Sequence, residues 1–333
     1  MQEESITHKR GTRLHITELD PEDPNFEHHV ADSWRNIKAS YQEYPYVEVG
    51  DPVHVRREIA AGRLRTFLVR EDNRVVGTAA MVSNGPVWEF GRLAVDPSHR
   101  GKAYGQALVW HRLSAAAGDP VYTTARAAEP ATTHNIFKAF ATTKGGVHIL
   151  GVAPYALVNH KQEFLIEMGG NLGKASDFQH PRFTPAEWAF LGPFLKGRRT
   201  ASFTHVRPSN VKIGDIVKVS EHSKYGVAEP IGNKAIRDVI TAARRNSLVN
   251  FLMLRVPLRD EHLPLREALV RNGFIPSAIG PKGNYIIYGL VTKPKRKVKL
   301  GEVNLPSSFD EPHVAPVKDA IMKIVEAYHE QLA

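Results

Sequence analysis

The chain has 333 residues, of which 42% are apolar and 24% are charged, a composition typical of a globular protein with one large or two medium cores. It contains no cysteine, which excludes disulfides, cysteine zinc sites and any enzyme that carries an acyl group on its own thiol. No apolar stretch approaches the ~18 residues of a membrane helix, and the acidic start is unlike a secretory signal, so we expect a cytoplasmic protein without a membrane partner.

The first half of the chain alternates between strand and helix patterns. Apolar residues recur with the helical period or alternate with polar residues, and turn residues separate the segments. Strands are predicted at residues 13–18, 65–71, 75–82, 86–95, 121–125, 147–152 and 163–168, and helices at 26–41, 52–61, 101–117 and 132–143. This order predicts an α/β fold with a mixed sheet in a first domain spanning residues 1–170.

The second half is predicted to form a smaller α/β domain. Residues 171–200 are expected to connect the two domains and to contain one helix at 185–195. The second domain, 201–292, has predicted strands at 215–219, 249–256, 275–279 and 284–291 and helices at 234–245 and 264–272. Residues 293–333 are predicted to be a basic linker followed by an amphipathic helix at 316–331.

Positive charge is concentrated in the second half. Residues 1–170 contain 19 Lys and Arg against 20 Asp and Glu, whereas the remainder contains 25 against 15. Five basic residues form one run, Lys293, Lys295, Arg296, Lys297 and Lys299. Such a run could bind nucleic acid or another polyanion. A solvated linker is the commoner role of such runs and the one we expect.

The segment with the clearest chemical pattern runs from Trp88 to Trp110. A predicted strand ends at Val95, the loop Asp96-Pro97-Ser98-His99 follows, and Arg100-Gly101-Lys102-Ala103-Tyr104-Gly105 opens a helix. Small residues permit close approach of a ligand, and free N–H groups of a first helical turn favour an anion. Arg100 and Lys102 add cationic donors. The segment therefore predicts a pyrophosphate-binding loop, although it matches neither the dinucleotide-binding fingerprint nor the P-loop.

This segment resembles the acyl-CoA-binding core of the GNAT superfamily of N-acyltransferases. The superfamily pattern is R/Q-x-x-G-x-G/A after a strand that ends in V-x-P. Arg100, Ala103 and Gly105 occupy the patterned positions after Val95-Asp96-Pro97, and Ala103 replaces the usual glycine. The resemblance covers residues about 10–170 and implies a GNAT-like fold.

The resemblance also implies how an acyl-CoA is held. The acyl-CoA is expected in a cleft where the fourth and fifth strands of the domain separate. Backbone groups of the preceding strand would pair with the pantetheine amides, and the loop amides would hold the pyrophosphate. The implied residues are Leu93, Ala94, Val95, Arg100, Gly101, Lys102, Ala103, Tyr104, Gly105 and Asn135.

Glu89 is the candidate general base. It lies eleven positions before Arg100, the interval at which histone acetyltransferases of the superfamily place their catalytic glutamate. Strand alternation would put Glu89, Gly91, Leu93 and Val95 on one side, facing the cleft. Alternatively, the Glu89 carboxylate pairs with Arg92 or faces water.

The general acid is not identified by the resemblance. In related enzymes a tyrosine on the helix after the fifth strand supplies the proton, but Phe137 and Phe140 occupy that part of this chain. His134, Tyr155 and Tyr122 are the substitutes to consider. No H-E-x-x-H or similar spacing occurs, so we expect no metal.

Two further interpretations concern the whole chain. Gly273-Phe274 and the strands after it resemble the end of a GNAT unit, so residues 201–292 are hypothesised to be a degenerate partial copy. The leading function is acyl-CoA-dependent N-acyl transfer, with acetyl-CoA as the expected donor, to a primary amine of a small molecule or peptide. The alternative is a non-catalytic acyl-CoA sensor or a protein that binds nucleic acid or another polyanion.

Overall fold

The fold was analysed in a computed structural model of the chain. The structure describes residues 4–7, 13–41, 44, 46–71, 74–84, 87–158, 161–172, 183–195, 217–220, 225–228, 236–238, 240–241, 244, 251–280, 285–292 and 299–333. Four residues of the basic run, at positions 293 and 295–297, lie outside the described residues. The predicted helix at 234–245 is described only at 236–238, 240–241 and 244, where it is helical.

The chain divides into two compact units, of which the first contains Met1–Thr124, His134–Val147 and Gly169–Asn171. Its strands are β1 (Glu4–Thr7), β2 (Arg13–Glu18), β3 (Leu64–Glu71), β4 (Arg74–Asn84), β5 (Val87–Val95) and β6 (Val121–Arg126), and its helices are α1 (Phe26–Tyr41), α2 (Pro52–Ala60), α3 (Tyr104–Ala115) and α4 (Pro130–Ala141). The last residues of β6 and the first of α4 belong to the second unit. The strands lie in chain order, antiparallel except for the parallel pair β5 and β6.

Helix α1 is fixed to β4 by polar as well as apolar contacts. Phe26 and Val30 lie in one core cluster with Val75 of β4. Two buried polar side chains of α1 bind the backbone of Val75: the Asn36 amide donates to its carbonyl at 2.9 Å, and the Asp32 carboxylate accepts from its N–H at 3.2 Å. Because a buried polar group needs a partner, these bonds set where α1 lies along β4.

The second unit contains Ala125–Thr133, His148–Met168 and Leu172–Ala333. Its strands are β7 (His148–Val158), β8 (Lys161–Gly170), β9 (Val217–Ser220), β10 (Tyr225–Ala228), β11 (Phe251–Pro257), β12 (Ile275–Ile279), β13 (Tyr285–Val291) and β14 (Lys299–Leu300), and its helices are α5 (Pro185–Leu191), α6 (Leu263–Arg271) and α7 (Ala315–Glu330). The strand order is β8-β7-β12-β13-β11-β10-β9, with β14 beside β8. The predicted mixed α/β fold is confirmed, whereas the domain boundaries predicted at 170, 200 and 292 remain predictions.

A buried ion pair connects α5 and α6. Glu187 completes a capping box with Thr184 at the start of α5, and its carboxylate lies 3.2 Å from the Arg266 guanidinium of α6. Tyr288 of β13 donates a hydrogen bond to the same carboxylate. Burial raises the pKa of Glu187 and also that of Tyr288. These partners replace the water that the Glu187 carboxylate loses on burial, and they join α5 to the core of this unit.

The connectivity of the first half recurs in the second. The first half runs β5, α3, β6, α4, β7, β8, with β5 parallel to β6. The second runs β10, helical residues between 236 and 244, β11, α6, β12, β13, with β10 parallel to β11 and β12 antiparallel to β13. This recurrence supports the hypothesis that residues 201–292 are a partial copy.

Strands β7 and β12 approach closely at Gly151, which faces Ala278. Gly151 has φ 145°, and a Cβ atom there would lie 2.2 Å from the Ser277 carbonyl oxygen and 2.3 Å from Ala278 Cα. We therefore expect Gly151→Ala to lower the free energy of unfolding by about 2–4 kcal/mol, measured by denaturant titration. Gly146→Ala is the control, because φ is 75° but the space is open, and its expected loss is about 1–2 kcal/mol. Equal losses for the two variants would contradict the close approach.

Candidate functional site

Strand β5 contains a bulge near its carboxyl end. Ala80 of β4 faces Gly91 and Thr78 faces Ala94, so the single residue Ala79 is opposed by both Arg92 and Leu93. Arg92 adopts the left-handed conformation, with φ 56°. An extra residue of this kind bends a strand and disrupts its regular pairing.

The bulge changes which side chains share a face. Val82, Ala80 and Thr78 of β4 lie on one face, so their partners Glu89, Gly91 and Ala94 share that face. The prediction that Val95 shares the Glu89 face is therefore wrong, because the extra residue reverses the alternation. Val95 instead lies 3.8 Å from the position that a Gly105 Cβ would occupy, at the start of α3.

Strands β5 and β6 separate at the bulge. Their parallel register covers Trp88 to Phe90 and Val121 to Thr123, although β5 continues to Val95. The Thr123 hydroxyl donates to the Phe90 carbonyl at 2.7 Å and closes the paired part. A Cβ atom added at Gly91 would meet no atom of the described structure within 4 Å. Residues 91–95 therefore lie beyond the part paired with β6, and the space beside Gly91 is open.

Aromatic side chains from α1 and the segment after it surround the bulge. The Tyr41 hydroxyl donates to the Leu93 carbonyl at 2.8 Å. The Tyr44 hydroxyl is hydrogen-bonded to Arg92, and burial raises the pKa of Tyr44. The Tyr44 ring lies 5.5 Å from the Tyr41 ring and 6.2 Å from that of Trp34. These contacts were not predicted from the sequence, in which the available signal was the aromatic residues at the end of α1 and directly after it.

The conformation of the loop after β5 determines where α3 begins. Asp96 accepts hydrogen bonds from the N–H and hydroxyl of Ser98 at 2.9 and 2.6 Å and from Arg74 at 2.7 Å. Gly101 and Ala103 are both left-handed, with φ 80° and 64°. Because of these two residues α3 begins at Tyr104, three residues later than predicted. Its first N–H groups have no carbonyl of their own helix to bind.

Positive charge at this loop is only partly neutralised. The Lys102 ammonium lies 3.3 Å from Glu71, which also pairs with His99 at 3.1 Å. Arg100 is exposed and donates to the Ser40 hydroxyl at 3.4 Å, and no carboxylate of the described residues pairs with it. The helix start and Arg100 together form a site suited to an anion.

The predicted base, Glu89, lies on β5, and the predicted CoA contact and a candidate proton donor lie on α4. Glu89 is half-buried on β5, opposite Tyr122 of β6. Asn135 and His134 are half-buried on α4, and burial lowers the pKa of His134. Phe137 and Phe140 of the same helix are buried. The side chain of Tyr155, another predicted proton donor, lies outside the described residues.

The family comparison identifies this part of the chain. A model of the acetyltransferase (GNAT) family matches residues 31–135, from α1 through the bulge and the loop to Asn135. This stretch is a GNAT acetyltransferase domain. No curated protein sequence is significantly similar to the chain.

Several solved structures are similar to about half of the chain. One is spermidine N-acetyltransferase from Vibrio cholerae in complex with CoA and spermine, 19% identical over 47% of this chain and 94% of that chain, with a TM-score of 0.36. Another is the ribosomal-protein-S18-alanine N-acetyltransferase from Escherichia coli, 15% identical over 47% and 92%, also with a TM-score of 0.36.

The described residues contain no group of three or more His, Asp or Glu side chains arranged to hold a metal ion. None of the helices in the described part of the chain combines the length and apolarity that crossing a membrane requires.

Asp96 gives the loop a pH-dependent stability. Its hydrogen bonds to Ser98 lower the pKa of Asp96 to about 2. The charged carboxylate therefore stabilises the fold above the unfolded-state pKa of about 3.9, and this contribution is lost as the pH falls toward 2. We expect Asp96→Asn to cost about 1–2 kcal/mol at pH 7 and progressively less between pH 4 and 2, measured by thermal unfolding.

The control is Asp319→Asn, on the exposed side of α7, which is expected to leave the stability unchanged. A constant difference between Asp96→Asn and the parent protein from pH 7 to pH 2 would contradict the role of the Asp96 charge.

Proposed function

We propose that the chain is an acyl-CoA-dependent N-acyltransferase, with acetyl-CoA as the expected donor, acting on a primary amine of a small molecule or peptide. The observation that carries this proposal is the position of the bulge. It separates β5 from β6 immediately before the loop that contains the exposed Arg100, which no described carboxylate neutralises, and that leads into the start of α3. The family match at residues 31–135 supports the same class of reaction.

The residues present suit an acyl-CoA. The N–H groups from Gly101 to Gly105 and the Arg100 guanidinium would hold the diphosphate, since oriented amides and a helix start both favour negative charge. A Cβ atom at Gly101 would meet nothing within 4 Å in the described structure, so the backbone there is accessible. Backbone groups of Leu93, Ala94 and Val95 would pair with the pantetheine amides. Lys102 would add a second cation, and Asn135 a polar contact from α4.

Glu89 is proposed as the general base. It shares a face of β5 with Gly91, beside which the structure is open. Its carboxylate would accept the proton of the acceptor ammonium. The amine nitrogen would then form a bond to the acyl carbon as the carbon–sulfur bond breaks, with the electron pair leaving on the CoA sulfur. The nitrogen would lose a further proton to become the amide, and the sulfur would gain one to become the thiol. Because the chain has no cysteine, no enzyme thiol can carry the acyl group.

The proton donor to the leaving sulfur stays unassigned. Phe137 and Phe140 carry no exchangeable proton, and Phe140 packs against Phe90 at 5.7 Å between ring centroids. This departure favours a second candidate function, an acyl-CoA sensor that does not turn over. Turnover assays with a panel of amines separate the two functions, because only the enzyme releases CoA faster when an amine is present.

Arg100→Glu tests the proposed diphosphate contact. The substitution replaces a charge-assisted donor by a charge that repels the diphosphate, so we expect the Kd for CoA to rise at least about 30-fold. Isothermal titration of CoA measures the effect. Arg259→Glu makes the same charge change at another exposed arginine and is expected to leave the Kd unchanged. Equal affinity of Arg100→Glu and the parent protein would remove this contact from the proposal.

Glu89→Gln tests the proposed base. Loss of the carboxylate should lower kcat by about 10²–10⁴-fold and remove the fall in rate at acid pH, while the Kd for CoA stays within about twofold. CoA release from acetyl-CoA with amines provides the measurement. Glu27→Gln, at an exposed carboxylate of α1, is the control. An unchanged pH profile and rate in Glu89→Gln would rule out this assignment.

A further inference from the structure

Arg112 is a buried cation with no acidic partner among the described residues. It follows Tyr104 and Leu108 at intervals of four residues on α3, and only 1% of its surface is exposed. Among the described residues no carboxylate pairs with it, and burial lowers the pKa of Arg112 to about 9. Burial of an isolated charge disfavours folding unless other groups replace the lost water.

Backbone carbonyls replace that water. One terminal nitrogen of the guanidinium, Nη1, donates to both the Ala80 carbonyl of β4 and the Gly91 carbonyl of β5, each at 3.1 Å. Nε donates to the Leu108 carbonyl at 3.3 Å. The guanidinium also lies over the Phe90 ring, 4.6 Å from its centroid.

These carbonyls occupy a special place in the sheet. Ala80 and Gly91 are the last opposed pair before the bulge, and the pairing of β5 with β6 ends one residue earlier at Phe90. On the other side of Arg92, the Leu93 carbonyl is held by the Tyr41 hydroxyl. Arg112 and Tyr41 therefore hold the two ends of the bulge from different helices.

We propose that Arg112 is a positioning residue for the acyl donor. Its guanidinium fixes the Ala80 and Gly91 carbonyls, so that β5 leaves β6 at a defined point and presents the backbone of residues 93–95 in one arrangement. Arg112 acts through Gly91 and does not itself contact the donor. The inference rests on the proposed acyl-CoA-dependent function.

If Arg112 positions the strand for the acyl donor, its replacement lowers kcat/KM for acetyl-CoA without a matching loss of stability. An apolar side chain of similar length removes the cost of burying the charge but also removes the donor to the Ala80 and Gly91 carbonyls, and these two effects on stability oppose each other. The same replacement frees the carbonyls at the bulge and lets the strand opening vary. A purely structural role predicts instead that stability and activity fall together.

The test compares Arg112→Met with the parent protein. We expect a Tm within about 5 °C of the parent value, a kcat/KM for acetyl-CoA that is about 10- to 100-fold lower, and a KM for the amine that stays within about twofold. Arg65→Met is the matched control: Arg65 also donates to a backbone carbonyl, that of Ala115 at the end of α3, and it pairs with Glu18 on β2. This control is expected to leave the use of acetyl-CoA unchanged.

If Arg112→Met does not fold, Arg112→Lys tests the positioning role. A lysine keeps the cation but lacks the planar fork, so we expect an intermediate loss of kcat/KM for acetyl-CoA. Parent-like kcat/KM in either folded variant, or a loss in proportion to a lowered Tm, overturns the inference. Titration of the parent protein with CoA comes first: absence of binding removes the proposed function itself, whereas binding with parent-like variants removes only the role of Arg112.

Discussion

One additional residue in β5 is the constraint on which the site depends. With Arg92 and Leu93 opposing the single residue Ala79, the strand cannot continue its regular pairing, and the register with β6 ends at Phe90. An uninterrupted strand would continue that pairing and leave no backbone for a ligand. The bulge also moves Ala94 to the Glu89 face and turns Val95 toward α3, so the two sides of the strand face different helices.

Of two cations near this bulge, one is exposed to solvent and the other is buried. Arg100 is exposed in the loop before α3, where the helix start adds partial positive charge and no described carboxylate pairs with the guanidinium. Arg112, two turns further along the same helix, is buried and satisfied by carbonyls. The first charge is suited to attract a ligand, and the second to hold the protein backbone. A single helix thus connects the anion-binding loop to the strand opening.

Much of this arrangement could be predicted from local sequence. Helix α1 spans the predicted residues 26–41, because its apolar period is regular, and the loop at 96–105 was identified because small and cationic residues follow a strand. The bulge was not predicted, because it is defined by a count of residues on two strands at once. The short strands β1 and β10 were missed for a related reason, since four residues become a strand only through a neighbour. Arg112 was overlooked because its partners lie 21 and 32 residues away.

The contact between β7 and β12 has a consequence for self-association. An edge strand offers unpaired N–H and carbonyl groups to which another polypeptide can add by hydrogen bonding. In the second unit β7 has β8 on one side and β12 on the other, and the absence of a side chain at Gly151 lets β12 come close. At Gly151 the chain therefore pairs this strand with its own β12, so a neighbouring molecule finds no free edge at that point of β7.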